Sequence, residues 1–250
     1  MSESKSTPVP EEENVVPKNY FSRLGGVYIS PGETFAEIGR APRLLVPIII
    51  LVIIGFAQGY YLTSNIDVAT LLSAANAQGQ VPPEQMAIIG PFIKAMILLS
   101  SGIGTLIVTL VIAAVFMLIS KILAVENRFK AVYAVTVYAV TAVTIVSFVV
   151  LVIVISLKGP EGLDLRNASN ILSSSLGAIL AGLFGNDILP KFFMKLAGYV
   201  EFFAIWHIVL LSIGYAAVSK KLKTSTVATW LTILYGIIAL IGAGIGSMTG

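Results

Sequence analysis

The sequence predicts an all-α membrane protein of five transmembrane helices, with its N-terminus in the cytoplasm and its C-terminus outside. Composition comes first. Apolar and aromatic residues make up 56% of the 250 residues, while Asp, Glu, Lys and Arg make up 12%, about half of the roughly 25% typical of a soluble globular chain. So few charges cannot clothe a water-facing surface, and a mean hydropathy of +0.92 agrees. Five segments, moreover, reach the length of about 20 mostly apolar residues that crosses a ~30 Å hydrocarbon layer. Basic residues supply the third observation, because eleven of sixteen fall on one side of the bundle those segments define.

The first 18 residues mix Pro, Ser and Glu with almost no bulky apolar side chain, so residues 1–18 are expected to be a disordered acidic tail. Residues 19–250 then form a single membrane domain. From Tyr20 to Arg43 the chain reads as short amphipathic pieces broken at Pro31. Ser30 is placed to cap a helix with Pro31 at its first position, Glu33 in its first turn and Arg40 at its end, where the dipole favours a cation. That helix is expected to lie in the cytoplasmic interface with Phe35 and Ile38 dipped toward the acyl chains.

The spans are expected at about 44–62, 95–120, 131–157, 199–219 and 227–248. Between the first two, an outer loop holds a short helix from Asp67 to Gln78 and ends at Pro82 and Pro83. The outer loop 158–198 contains Ile171 to Phe184, whose length of about 14 residues suits a short non-spanning helix. Asn167-Ala-Ser169 in this loop fits the glycosylation acceptor pattern, which is incidental in a prokaryote. No apolar stretch in residues 1–43 has the form of a signal peptide, so the first span reads as an uncleaved anchor.

Lys5, Lys18, Arg23, Arg40 and Arg43 precede it, Lys121, Arg128 and Lys130 fill one short loop, and Lys220, Lys221 and Lys223 fill another. By the positive-inside rule these segments are cytoplasmic. Were Ile171–Phe184 to cross, the 220–223 turn would fall on the wrong side. The basic residues are too sparse for a nucleic-acid footprint, so nucleic acid is not an expected partner.

Little chemistry is on offer. The absence of cysteine excludes disulfides, thiolate metal sites and Cys nucleophiles. A lone His cannot furnish a usual zinc set, and neither metal nor cofactor is expected. Glu201 and His207 are the strongly ionisable side chains assigned to a span, a placement that costs several kcal/mol unless partnered and so marks them as candidate functional groups. Six residues apart, they sit about 120° from each other on the helical wheel and do not form one acid/base pair. Glu201 falls near the outer boundary, within reach of water, and His207 near mid-membrane on a stripe with Phe203, Leu211 and Tyr215. The structural reading of His207 is a neutral imidazole hydrogen-bonded inside the bundle; the functional one is a proton or substrate role.

A hydrolase would need His207 to meet a serine such as Ser100 or Ser101, and no G-x-S-x-G elbow is present, so no catalytic residue is assigned. Gly242, Gly246 and Gly250, like Gly55 and Gly59, recur every four residues and read as faces for close helix packing. Ser101, Thr105 and Thr109 form a similar stripe on the second span.

Three stretches in order resemble the Yip family of integral membrane proteins, the Ypt/Rab-GTPase-interacting proteins and their prokaryotic relatives. RLGGVYISPGETFAEIGRAPRLLVPIII is similar to the segment that leads into the family's first span, with Ser30, Pro31 and Phe35 followed by the step Arg40, Ala41, Pro42 and Arg43. NRFKAVYAVTVYA resembles the opening of the third span, with Phe129, Lys130, Tyr133 and Tyr138. EFFAIWHIVLLSIGYAAVSKK resembles an acidic-x-Phe-x-x-Trp motif with a later glycine: Glu201, where Asp is expected, Phe203, Trp206 and Gly214.

The resemblance covers about residues 20–248 and implies a five-helix bundle with a cytoplasmic N-terminus; with so few groups to do chemistry with, the chain is expected to be no enzyme, multi-pass in a prokaryotic cytoplasmic membrane. Eukaryotic relatives act in trafficking through small GTPases; the short tail here is similar to the prokaryotic branch, and a GTPase partner is not carried over. The function expected is a membrane scaffold or membrane-organising protein, its partners being the bilayer and other membrane proteins or a second copy through Gly242, Gly246 and Gly250. The alternative is a small transporter or channel built on His207 and Glu201.

Overall fold

A computed structural model of the chain describes residues 19–68, 83–159, 172, 174–185, 188–219 and 221–249. The expected acidic tail, most of the Asp67–Gln78 helix, Asn167-Ala-Ser169 and Gly250 lie outside these residues. Every regular element among the described residues is helical, and one antiparallel bridge, Ser175 to Glu201, joins extended backbone.

The chain enters through two short helices, α1 (Tyr20–Ile29) and α2 (Pro31–Arg40). Asn19 starts α1 by accepting the Ser22 N–H at 2.7 Å. Pro31, lacking an N–H, cannot continue α1 but suits the first position of α2. Ser30, between them, makes no side-chain capping bond, contrary to expectation. It closes α1 as well, its N–H donating to Gly26 O at 2.8 Å, and this shared turn fixes its backbone at φ −139°, ψ 68°. At Gly26 a β-carbon would collide with the Thr34 side chain, so glycine is what lets the two helices fold into a hairpin.

This hairpin does not float in the interface. Phe35 and Ile38, expected among acyl chains, are 0% exposed and belong to the central core. An amphipathic face is compatible with lipid or with protein; here close-packed contact with the bundle takes it.

Five helices are long and apolar enough to cross a membrane: Leu45–Asn65, Ala87–Ile122, Phe129–Lys158, Phe202–Ser219 and Thr224–Met248. The first of them is α3 (Leu45–Asn65). The second is made of α4 (Pro83–Leu99), a π-helical turn (Ser100–Gly104) and α5 (Thr105–Ile122). It starts well before the expected position 95, because Pro83 opens the helix rather than ending a loop. Its 36 residues from Ala87 reach about 54 Å, more than a bilayer core needs.

Central to the bundle is α6 (Phe129–Lys158), buried almost without interruption from Ala131 to Val143. An unbroken buried run means neighbours on every side, and α1, α2, α3, α5 and α9 (Phe202–Ser219) all pack on it. Phe116 of α5 stacks on Tyr215 of α9 at 3.8 Å between ring centroids, and the Tyr215 hydroxyl shares a 2.7 Å hydrogen bond with Thr136 of α6. α10 (Thr224–Thr249) closes against α9.

The stretch expected as one non-spanning helix contains α7 (Leu176–Phe184), capped by the Ser175 hydroxyl accepting from the Ala178 N–H at 3.2 Å. A further short helix, α8 (Lys191–Gly198), follows it and packs along α10. Outward-facing positions such as Ile53, Ile107, Val111, Ile237 and Ile241 remain exposed, as lipid-facing side chains of a membrane bundle are.

Candidate functional site

The hairpin lies in a socket between α6 and α9, held at both ends. At its tip, the Tyr28 hydroxyl donates to Ala142 O at 2.8 Å. The Tyr28 ring also faces Trp206, 6.1 Å away, beside Phe202 and Phe203. Ala142 lies 13 residues into α6, about 20 Å along its axis, so the tip reaches the middle of the span.

Halfway down, Phe35 lies against Gly214, where a β-carbon would strike Val135 and come within 3.1 Å of the Phe35 ring. A larger residue there would close the socket.

At its base sits a charge that the sequence alone assigns only to topology. Arg23 is 0% exposed; its Nε donates to Glu37 Oε1 at 3.1 Å and its Nη1 to Ala41 O at 2.8 Å. The Tyr138 hydroxyl lies beside the same guanidinium, within its electrostatic reach. Nearby, Arg128 Nη2 donates to Gly39 O at 2.9 Å and ties the end of α2 to the start of α6. A signal for Arg23 existed: it shares a helical face with Leu24 and Val27, both buried.

Glu201 is not inside the helix. It precedes α9, accepts the Ala204 N–H at 2.7 Å as an N-cap, and accepts the Ser174 hydroxyl at 2.5 Å. The expectation that it reaches water from within the span is corrected: it is buried, joining the α7 approach to the start of α9. Trp206 and His207 are both half-buried on α9. The His207 Nε2 is shielded and unpartnered among the described residues, so the expected hydrogen bond does not form there.

Gly55 and Gly59 receive the π-helical turn, with Ser101 against both. Gly242 faces the Tyr199 hydroxyl and Gly246 faces the Lys195 stem, so that stripe meets α8 and the residue after it. Ser100 and Ser101 both donate to Ile97 O, at 3.0 and 2.7 Å, and Thr105 and Thr109 bond to Ser101 O and Leu106 O of the same helix. Pro31 opens α2, while Pro42 is half-buried in the link to α3.

The stretches that carried the family resemblance thus meet: Phe35 with Gly214, Tyr28 with Trp206, and Arg23 with the hydroxyl of Tyr138. The chain matches the Yip1 domain over residues 25–246. No curated protein and no solved structure matches it.

Proposed function

The chain belongs to the family of Yip1 domain proteins, and from that premise we propose that it is a non-enzymatic, membrane-organising protein, cytoplasmic at its N-terminus and external at its C-terminus. One observation carries the reading: the buried charges among the described residues, Arg23 and Glu201, are engaged in holding helices together. Arg23 pairs with Glu37 to seat the hairpin, and Glu201 caps α9 and binds Ser174. A pump or hydrolase keeps such groups convergent on a substrate; these are distributed among separate structural joints.

The body so formed would present an apolar periphery to lipid and to neighbouring membrane proteins or further copies. The orientation is supported by the basic residues, since Arg128, Lys130, Lys221 and Lys223 flank the same ends of α6, α9 and α10.

The test is reconstitution of the purified protein into vesicles at rising protein-to-lipid ratio, with vesicle shape followed by cryo-electron microscopy and leakage of trapped ions and small solutes followed in parallel. A ratio-dependent change of vesicle size without added flux is expected. Flux above empty vesicles that is lost in His207→Leu would instead establish the transporter alternative.

A further inference from the structure

A cleft of about 630 Å³ opens where the ends of α2, α6 and α9 converge. Its walls are small and apolar, including Ala36, Ala131 and Val218, and its polar lining is dominated by Arg40, Arg128 and Lys221 against the single acid Glu126. Three cations facing one carboxylate leave a net positive basin. Among the described residues none of these four is ion-paired, so the cations are not neutralised by the protein.

Backbone charge points the same way. α6 begins here with no side-chain cap, presenting the positive end of its dipole. Two helix C-termini also end here, but Gly39 O already accepts from Arg128 and Ser219 O from the Lys221 N–H at 2.6 Å. Asn127 adds a second kind of group. Its Nδ2 donates to the Ser120 hydroxyl at 2.9 Å, whereas its Oδ1 is shielded and has no partner among the described residues. The basic lining therefore asks for an anion. The volume is that of a small-molecule site rather than a protein-docking groove.

We propose that this cleft binds the headgroup of an anionic glycerophospholipid, with its phosphate on Arg40, Arg128 and Lys221. The lipid form is favoured over a soluble phosphate because the cleft lies at the ends of membrane-spanning helices, beside exposed Phe129 and Ile122, where headgroups and upper acyl chains would reach it. The proposal goes beyond the organising role and holds whether or not that role does, since it needs only that the chain resides in a bilayer.

Delipidated protein offered equal phosphatidylglycerol and phosphatidylcholine of matched chains, read by native mass spectrometry, tests it. Phosphatidylglycerol should be retained preferentially. Arg40→Gln with Lys221→Gln, both exposed positions, should weaken that retention roughly thirtyfold, about 2 kcal/mol. Lys130→Gln with Lys223→Gln, equally basic and outside the cleft, should leave it unchanged. Equal retention of the two lipids, or the same loss in both double variants, would overturn the proposal. Displacement of phosphatidylglycerol by glycerol phosphate at equal concentration would overturn the lipid assignment and make the ligand a soluble phosphate.

Discussion

Arg23, fully buried, pairs with the part-buried Glu37 at the base of the hairpin, and removing the carboxylate leaves the guanidinium charge stranded in the bundle. Glu37→Gln should therefore lower stability in lipid nanodiscs by about 3 kcal/mol, whereas replacing both residues with Met should recover most of the loss. Thermal unfolding followed by circular dichroism checks both; a double variant as unstable as the single one would show that the pair contributes more than mutual neutralisation. Glu201 makes a second residue-level expectation. Glu201→Ala should cost about 1–2 kcal/mol through loss of the cap and of the Ser174 bond, while Glu201→Asp, a better capping residue, should stay near wild type in the same measurement. Glu201 was legible from sequence as an unusual charge but not as a cap, because the start of α9 differs from the expected span by three residues and that offset decides the role. The buried role of Arg23 is hidden in the sequence for a related reason. Counting charges assigns them to sides of a membrane and says nothing of which are folded inward.

At the scale of elements, the socket depends on Gly214, the notch through which Phe35 reaches Val135. Gly214→Val should release the hairpin without unfolding the spans. Hydrogen exchange should accelerate through Tyr20–Arg40 and stay slow in Thr224–Thr249; uniform acceleration would mean that the helices do not separate as units. The existence of α1 and α2 could be read from Asn19, Pro31 and the spacing of Leu24, Val27, Phe35 and Ile38. Their placement could not, since periodicity identifies an apolar face without identifying what covers it. The same limit applies to Gly242 and Gly246: a small-residue face was visible, but its occupant, Tyr199 and Lys195, lies about 40–50 residues away in sequence.

Across the whole molecule the long apolar segments were plainly legible, because length and lack of charge alone are enough to identify a span. A chain without cysteine suits a direct measurement of orientation. Thr224→Cys and Ser247→Cys should react with a membrane-impermeant maleimide from opposite sides, and Ile29→Cys, at the hairpin tip, should react from neither. Labelling of Ile29→Cys from the cytoplasmic side would mean that the hairpin lies at the surface. The hairpin also imposes an order on biogenesis. Tyr28 must wait for Ala142, 114 residues later, and Phe35 for Gly214, later still. At roughly 5–20 residues per second, nascent chain would hold the hairpin unseated for some ten to thirty seconds, with Arg23 and its apolar face unprotected at the ribosome-proximal surface. A chain arrested before Phe202 should therefore remain open to protease between α1 and α2, and release into full-length protein should close that site.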